Sequence, residues 1–125
     1  MGQRVHVIKK RAEYGNTEAF NWAHDKFENL LFSLACDVCK QEEYSTEFEL
    51  LVGDYERAVE ILKKIKEGKE KNTEIVLDDD VELEAIEETI KDLGYEDKIG
   101  SLIEIMENFY NERDKASSWI QFSAW

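Results

Sequence analysis

Apolar residues recur every three or four positions in four stretches of the chain, and this spacing predicts four amphipathic helices. Three other stretches alternate apolar with polar residues or concentrate β-branched side chains, which is typical of strands. The predicted helices span residues 17–36, 55–67, 81–93 and 97–114, and the predicted strands span 5–8, 44–52 and 119–125, with a short further strand at 74–77.

The order of these elements, β-α-β-α-(β)-α-α-β, predicts an α+β or small α/β fold. We expect a two-layer sandwich in which a mixed sheet of three or four strands carries helices on one face. With 125 residues, no proline and no Gly/Ser-rich linker, residues 1–125 are predicted to form a single domain. The period of two predicts that the side chains facing the helices are Val5, Val7, Phe48, Leu50, Ile120 and Phe122. The open face would carry Arg4, His6, Ile8, Glu47, Glu49, Leu51, Trp119 and Trp125.

Acidic residues outnumber basic ones by 29 to 16, which gives a net charge of −13. Residues 74–97 hold eleven acidic residues against one lysine, whereas residues 1–12 hold four basic residues and no acidic one. This balance disfavours direct binding to nucleic acid or to an anionic membrane and suits a basic protein partner. The chain shows neither an apolar run long enough to cross a bilayer nor a signal-peptide core, and its two cysteines fit a reducing compartment. We therefore expect a cytoplasmic protein.

The acidic stretch contains the first set of candidate binding residues. Helical spacing places three glutamates on the solvent side of the helix predicted at 81–93, and three aspartates stand just before that helix. The carboxylates serve either as an ordinary solvated surface with helix-capping aspartates, or as a docking surface for lysines and arginines of a nucleic-acid channel. A divalent-ion site at the aspartates is a third, less favoured interpretation, because the spacing of a calcium loop is absent. The candidate residues are Asp78, Asp79, Asp80, Glu84, Glu87 and Glu88.

Two aromatic residues of the first predicted helix lie off its apolar stripe. At 100° per residue, Trp22 and Phe32 fall on a second face together with Asp25, Asn29 and Cys36. Either this face is covered by the rest of the domain, or Trp22 and Phe32 anchor a protein partner, since large aromatic residues are enriched at interface hot spots.

The open sheet face offers an alternative site for a small ligand. The residues predicted to surround such a ligand are His6, Glu47, Glu49, Trp119 and Trp125. A phosphate group at Gly15-Asn16-Thr17 is also conceivable, because these residues precede the first predicted helix and free N–H groups converge at a helix N-terminus.

Motifs for catalysis or metal binding are weak. Cys36 and Cys39 form a C-x-x-C pair, but the pair falls at the predicted C-terminal end of a helix beside Asp37, where a thiol pKa is raised rather than lowered. Incidental cysteines are favoured over a redox pair or half of a zinc site, which would need two further ligands. We predict no catalytic residues, no metal and no cofactor, and the sequence favours a non-enzymatic protein.

A small, strongly acidic chain without a catalytic motif looks like the immunity, antitoxin and phage anti-defence proteins that block basic nucleic-acid enzymes. The likeness is one of class and transfers no residues. The leading hypothesis is an acidic inhibitor that occludes a basic surface of a protein partner, such as a nuclease or another nucleic-acid-binding protein. The alternatives are a ligand-binding domain or enzyme that uses the open sheet face, and a structural homo-oligomer.

Overall fold

The computed structural model describes residues 4–10, 13–21, 23–40 and 46–124. This part of the chain forms four strands and four helices, in agreement with the predicted α+β class. In chain order the elements are β1 (Val5–Lys10), β2 (Glu13–Ala19), α1 (His24–Ser33), β3 (Glu47–Leu51), α2 (Val52–Lys71), α3 (Leu83–Leu93), α4 (Ile99–Glu112) and β4 (Trp119–Ala124).

The four strands form one open sheet in the order β2-β1-β4-β3. Every neighbouring pair within these strands is antiparallel, so the predicted mixed sheet is wrong. Only two residues separate β1 from β2, whereas a parallel pair needs a crossover of a dozen residues or more.

The set of side chains predicted to face the helices is correct. Phe122 lies opposite both Val7 and Phe48, and Leu50 lies opposite Ile120. All six side chains predicted to face the helices are at most 3% exposed.

Three helices reach the same sheet residue. The rings of Phe27 in α1, Tyr55 in α2 and Phe109 in α4 lie 5.5, 5.9 and 5.3 Å from the ring of Phe122. The buried hydroxyl of Tyr55 donates to the backbone oxygen of Met106 at 2.7 Å, which satisfies the polar atom in this core. The helices therefore cover one face of the sheet, as predicted.

The first helix is shorter than predicted. The spacing predicted a helix at 17–36, but residues 13–19 form β2 and only residues 24–33 are helical. Phe20 separates the two elements with a left-handed φ of 59°, and its ring stacks on Phe27 at 4.6 Å. Burial of Phe20 thus continues the apolar stripe although the residue lies outside the helix. The phosphate site proposed at a helix N-terminus is wrong, because Gly15, Asn16 and Thr17 lie within β2.

Residues 73–82, here called the strap, connect α2 to α3. The predicted strand at 74–77 is absent from the sheet, and α2 continues past Gly68 to Lys71. Gly68 is required by the strap rather than by a helix end, since a Cβ there would overlap Cγ1 of Ile75. The predicted element order is therefore corrected to β-β-α-β-α-α-α-β.

The ends of α3 differ in how well the sequence predicted them. The helix begins at Leu83, and no side chain caps its N-terminus, so the predicted capping by the aspartates is wrong. At the other end Gly94 adopts a φ of 88°, and the N–H of Tyr95 donates to the backbone oxygen of Ile90 at 3.0 Å. The left-handed glycine ends the helix at Leu93, the end that the sequence predicted.

Among the described residues, no helix combines the length and the apolar character needed to cross a bilayer.

Candidate partner-binding surface

The acidic side chains of residues 74–97, here called the acidic surface, lie almost entirely in solvent. Ten of these eleven side chains are exposed, and Glu87 is half-buried. Within the described part of the chain only Asp78, Asp80 and Glu87 have an ion-pair partner. Eight carboxylates of the acidic surface therefore remain without a paired cation.

Helix α3 presents part of this surface because its two sides differ sharply. Ile86 and Ile90 are buried, whereas Glu84 and Glu88 on the opposite side are exposed. Glu87 lies at the boundary and forms an ion pair of 3.6 Å with Lys69 of α2. Glu84 and Glu88 are one helical turn apart and are free to meet cations of a partner.

The three aspartates of the strap do not act alike. Arg57 of α2 donates to Asp80 through both terminal nitrogens and to Asp78 at 3.2 Å. The hydrogen bonds from Arg57 lower the pKa of Asp80 below its ordinary value of 3.8. Asp79 is exposed and has no partner among the described residues. Asp78 and Asp80 thus fasten the strap to α2, and Asp79 is the aspartate available to a partner.

Helix α1 borders α3 and carries an exposed aromatic residue. The hydroxyls of Ser33 and Thr89 lie 2.9 Å apart and join the two helices. Phe32 is 55% exposed, and Asn29 on the same face of α1 is also exposed. Trp22, the second predicted anchor, lies outside the described residues. Phe32 and the glutamates of α3 therefore lie on two helices that contact each other.

The open sheet face holds a shallow cleft of about 220 Å³. Glu47 and Glu49 line it together with Ile8, Cys39 and Gln121, and the side-chain amide of Gln121 donates to Glu49 at 2.8 Å. Two other residues predicted for this site, His6 and Trp119, do not line the cleft, and Trp125 lies outside the described residues.

His6 is buried rather than available to a ligand. Its side chain is 5% exposed, and its ring lies 6.3 Å from the ring of Tyr14. Burial lowers the pKa of His6, Glu18 opposes the shift, and Arg4 adds to it. The imidazole is therefore neutral at pH 7.

The two cysteines occupy different surroundings. Cys36 is buried, and its thiol contacts the backbone oxygen of Asp54 at 3.5 Å. Burial, reinforced by Asp54, raises the pKa of Cys36 to about 12, so the thiol is not a nucleophile at neutral pH. Cys39 pairs through its backbone with Glu49 at the edge of β3. Among the described residues, no three His, Cys, Asp or Glu side chains are arranged to hold a metal ion.

The chain was compared with protein families, with curated proteins and with solved structures. No match was found.

Glu112 is a polar residue whose role the sequence did not reveal. Its carboxylate accepts hydrogen bonds from the backbone N–H groups of Asn16 and Thr17 and from the Thr17 hydroxyl. Burial alone would raise the pKa of Glu112, but the bonds from Thr17 and Asn16 outweigh it and lower the pKa below 4.5. Glu112 thereby fastens the end of α4 to β2. Asn16 and Thr17 lie 96 and 95 positions before Glu112 in the chain, so no local sequence pattern could indicate this contact.

Glu28 was also missed. It lies on α1 with only 4% exposure, and one of its oxygens pairs with Lys40 at 2.8 Å. The pair ties the segment after α1 to the helix. The spacing of the apolar stripe placed Phe27 and Leu31 inside but did not identify their neighbour Glu28 as buried.

Proposed function

We propose that this chain is a non-enzymatic binding protein that occludes a basic surface of a protein partner. The partner is a nuclease or another nucleic-acid-binding enzyme, and the chain acts in the manner of immunity and phage anti-defence proteins. The observation that carries the proposal is the acidic surface, in which eight exposed carboxylates have no cation partner among the described residues. Such a surface attracts a basic protein over long range and competes with phosphates for its lysines and arginines.

Comparison with α2 supports a local rather than a general excess of charge. In α2, Lys66 pairs with Glu70 and Lys71 pairs with Glu67, each at 2.7 Å. These pairs largely balance the charge of that helix. The unpaired carboxylates of residues 74–97 instead lie on the strap, on α3 and on the turn after it, and these three elements carry the candidate docking surface.

The residues assigned to the partner follow from their availability. Glu84, Glu88 and Asp79 are free to steer a basic protein, and Glu87 contributes once its weak pair with Lys69 opens. Phe32 supplies an apolar anchor on the neighbouring helix. Asp78 and Asp80 add to the negative electrostatic potential of this surface, but both are already paired with Arg57.

The test is association kinetics with a basic protein captured from nuclease-treated lysate of the source cells. The variant E84Q/E87Q/E88Q should lower the association rate constant by roughly three- to tenfold at low salt, because long-range attraction governs encounter. The difference should disappear at high salt, where charges are screened.

The matched control is E60Q/E104Q/E107Q, which removes the same number of charges from exposed positions on α2 and α4. It should associate at nearly the wild-type rate. Equal rate constants for the two triple variants would exclude the acidic surface as the docking side.

The cleft on the open sheet face supports a second candidate function, the binding of a small polar ligand. Glu49 and Gln121 form a polar pair at its wall, and Ile8 provides an apolar contact. A metabolite that raises the melting temperature of the wild type, but not of E49A, would support this function. No shift with any compound of a metabolite panel would argue against it.

A further inference from the structure

The strap contains a segment with the features of an unpaired β-strand. From Glu74 to Asp78 the side chains alternate between exposed and half-buried, with Ile75 and Leu77 turned towards the protein. Val76, between them, is 72% exposed and is the most exposed large apolar residue described. A period of two and β-branched residues are typical of strands.

Two contacts with α2 hold this segment at its two ends. Ile75 packs on Gly68 of α2, and Asp78 is held by Arg57 of the same helix. Arg57 lies eleven positions before Gly68. That separation corresponds to about 16 Å along a helix axis. Three residues span at most about 10–11 Å when fully extended, and the side chains of Arg57 and Asp78 bridge the rest of the distance. An extended chain from Ile75 to Asp78 therefore fits these attachment points.

The backbone of this segment has no partner strand. Hydrogen bonds flank it, from the N–H of Thr73 to Gly68 at 2.9 Å and from the N–H of Val81 to Asp78 at 3.2 Å. Between them, residues 74–77 make no hydrogen bond to any other group in the described part of the chain. Their N–H and C=O groups are therefore open to an added strand, as in β-augmentation.

Charge decides which strand fits. Antiparallel pairing of two copies centred on Val76 would place Glu74 of one copy opposite Asp78 of the other, and like charges in direct opposition are destabilising. A strand that carries lysine or arginine on both sides of an apolar residue would instead place one cation opposite Glu74, its apolar residue against Val76, and the second cation near Asp78 and Asp79.

We propose that residues 74–77 bind an extended basic segment of the partner by adding it as a β-strand. This inference rests on the proposed function, because it names the part of the acidic surface at which a basic protein becomes ordered. Backbone hydrogen bonds would supply affinity, and the flanking carboxylates would select a basic strand.

The experiment uses a short synthetic peptide in which lysines stand two positions before and two positions after a valine, with threonines between them, so that all three side chains share one face of a strand. It is titrated into the isotopically labelled full-length chain and followed by amide NMR shifts. The expected result is saturable shifts centred on residues 74–77. The same peptide with alternate backbone nitrogens methylated keeps its charge but cannot pair as a strand, and it should bind at least about tenfold more weakly, a loss of about 1.4 kcal/mol.

Two variants separate the strap from general electrostatics. E74K/D79K changes two exposed carboxylates that have no ion-pair partner among the described residues, and it should also weaken binding at least about tenfold. E60K/E104K makes the same change in net charge at exposed positions on α2 and α4 and should bind within about twofold of the wild type. Unchanged melting temperatures would show that both variants are folded.

Three outcomes would overturn the inference. These are equal binding of the methylated peptide, no saturable shift at millimolar peptide, or self-association through residues 74–77 detected by light scattering. If any of them occurred while E84Q/E87Q/E88Q still slowed association with the captured partner, the strap assignment would fail and the proposed function would stand. If the triple variant also had no effect, both would fail.

Discussion

Single side chains hold β2 in place, and Glu112 is the clearest case. Its carboxylate binds two backbone N–H groups and the hydroxyl of Thr17. Gly15 lies directly beneath this carboxylate, where a Cβ would come within 2.8 Å of Oε2 of Glu112 and 2.9 Å of Cγ1 of Val7. β2 therefore depends on a glycine and a distant glutamate rather than on strand propensity.

Replacement of Glu112 by glutamine (E112Q) tests this contact. The replacement should lower the free energy of unfolding by about 1–3 kcal/mol at pH 7, because hydrogen bonds to a charged acceptor are lost or weakened. The pKa of Glu112 is lowered in the folded state. The ionised carboxylate therefore stabilises the fold at every pH above its ordinary pKa of 4.5. That contribution is lost as the pH falls through the lowered pKa.

Urea unfolding of the wild type and E112Q between pH 7 and pH 3 measures this effect. The gap between the two proteins should be constant at neutral pH and should narrow below pH 4.5. A gap that stays constant down to pH 3 would show that the charge of Glu112 plays no part.

At the scale of elements, the strap is positioned by contacts that span much of the length of α2. Ile75 packs on Gly68 near the end of α2, and Arg57 near its start binds Asp78 and Asp80. The ion pairs are exposed and contribute little to global stability. Their effect is instead local, since they fix one end of the segment that carries the proposed strand-binding groups.

R57Q tests this local role. Amide hydrogen exchange at Val81, whose N–H donates to the backbone oxygen of Asp78, should become faster, while the free energy of unfolding changes by less than about 1 kcal/mol. K63Q, which removes another exposed ion-paired cation of α2, is the matched control and should leave exchange in the strap unchanged. Equal exchange in R57Q and the wild type would mean that Arg57 does not hold the strap.

The elements also show how far sequence reasoning extends. The inward residues of β3 and β4 could be predicted because successive side chains of a strand point to opposite faces of the sheet. Alternating apolar residues therefore indicate which face is buried. β2 was missed because residues 13–19 lack an apolar alternation, and their pairing depends on β1 and Glu112. The aspartates were assigned to capping because capping is local, whereas their actual partner Arg57 lies 21 and 23 positions away.

For the whole molecule, the net charge of −13 is distributed unevenly. The sequence predicted where the acidic residues concentrate and that Glu84 and Glu88 face solvent, because both follow from composition and helical period. It could not predict which carboxylates are neutralised by distant cations. The structure leaves most of the acidic surface unpaired among the described residues, and this excess is the physical basis of the proposed inhibition.

The most direct measurement is displacement of nucleic acid from the captured basic partner, followed by the fluorescence anisotropy of a labelled duplex. We expect the wild-type chain to release the duplex at stoichiometric concentration, and E84Q/E87Q/E88Q to require a several-fold higher concentration at low salt. A duplex that stays bound in a ternary complex with the chain and its partner would contradict the claim that the acidic surface occludes a nucleic-acid site.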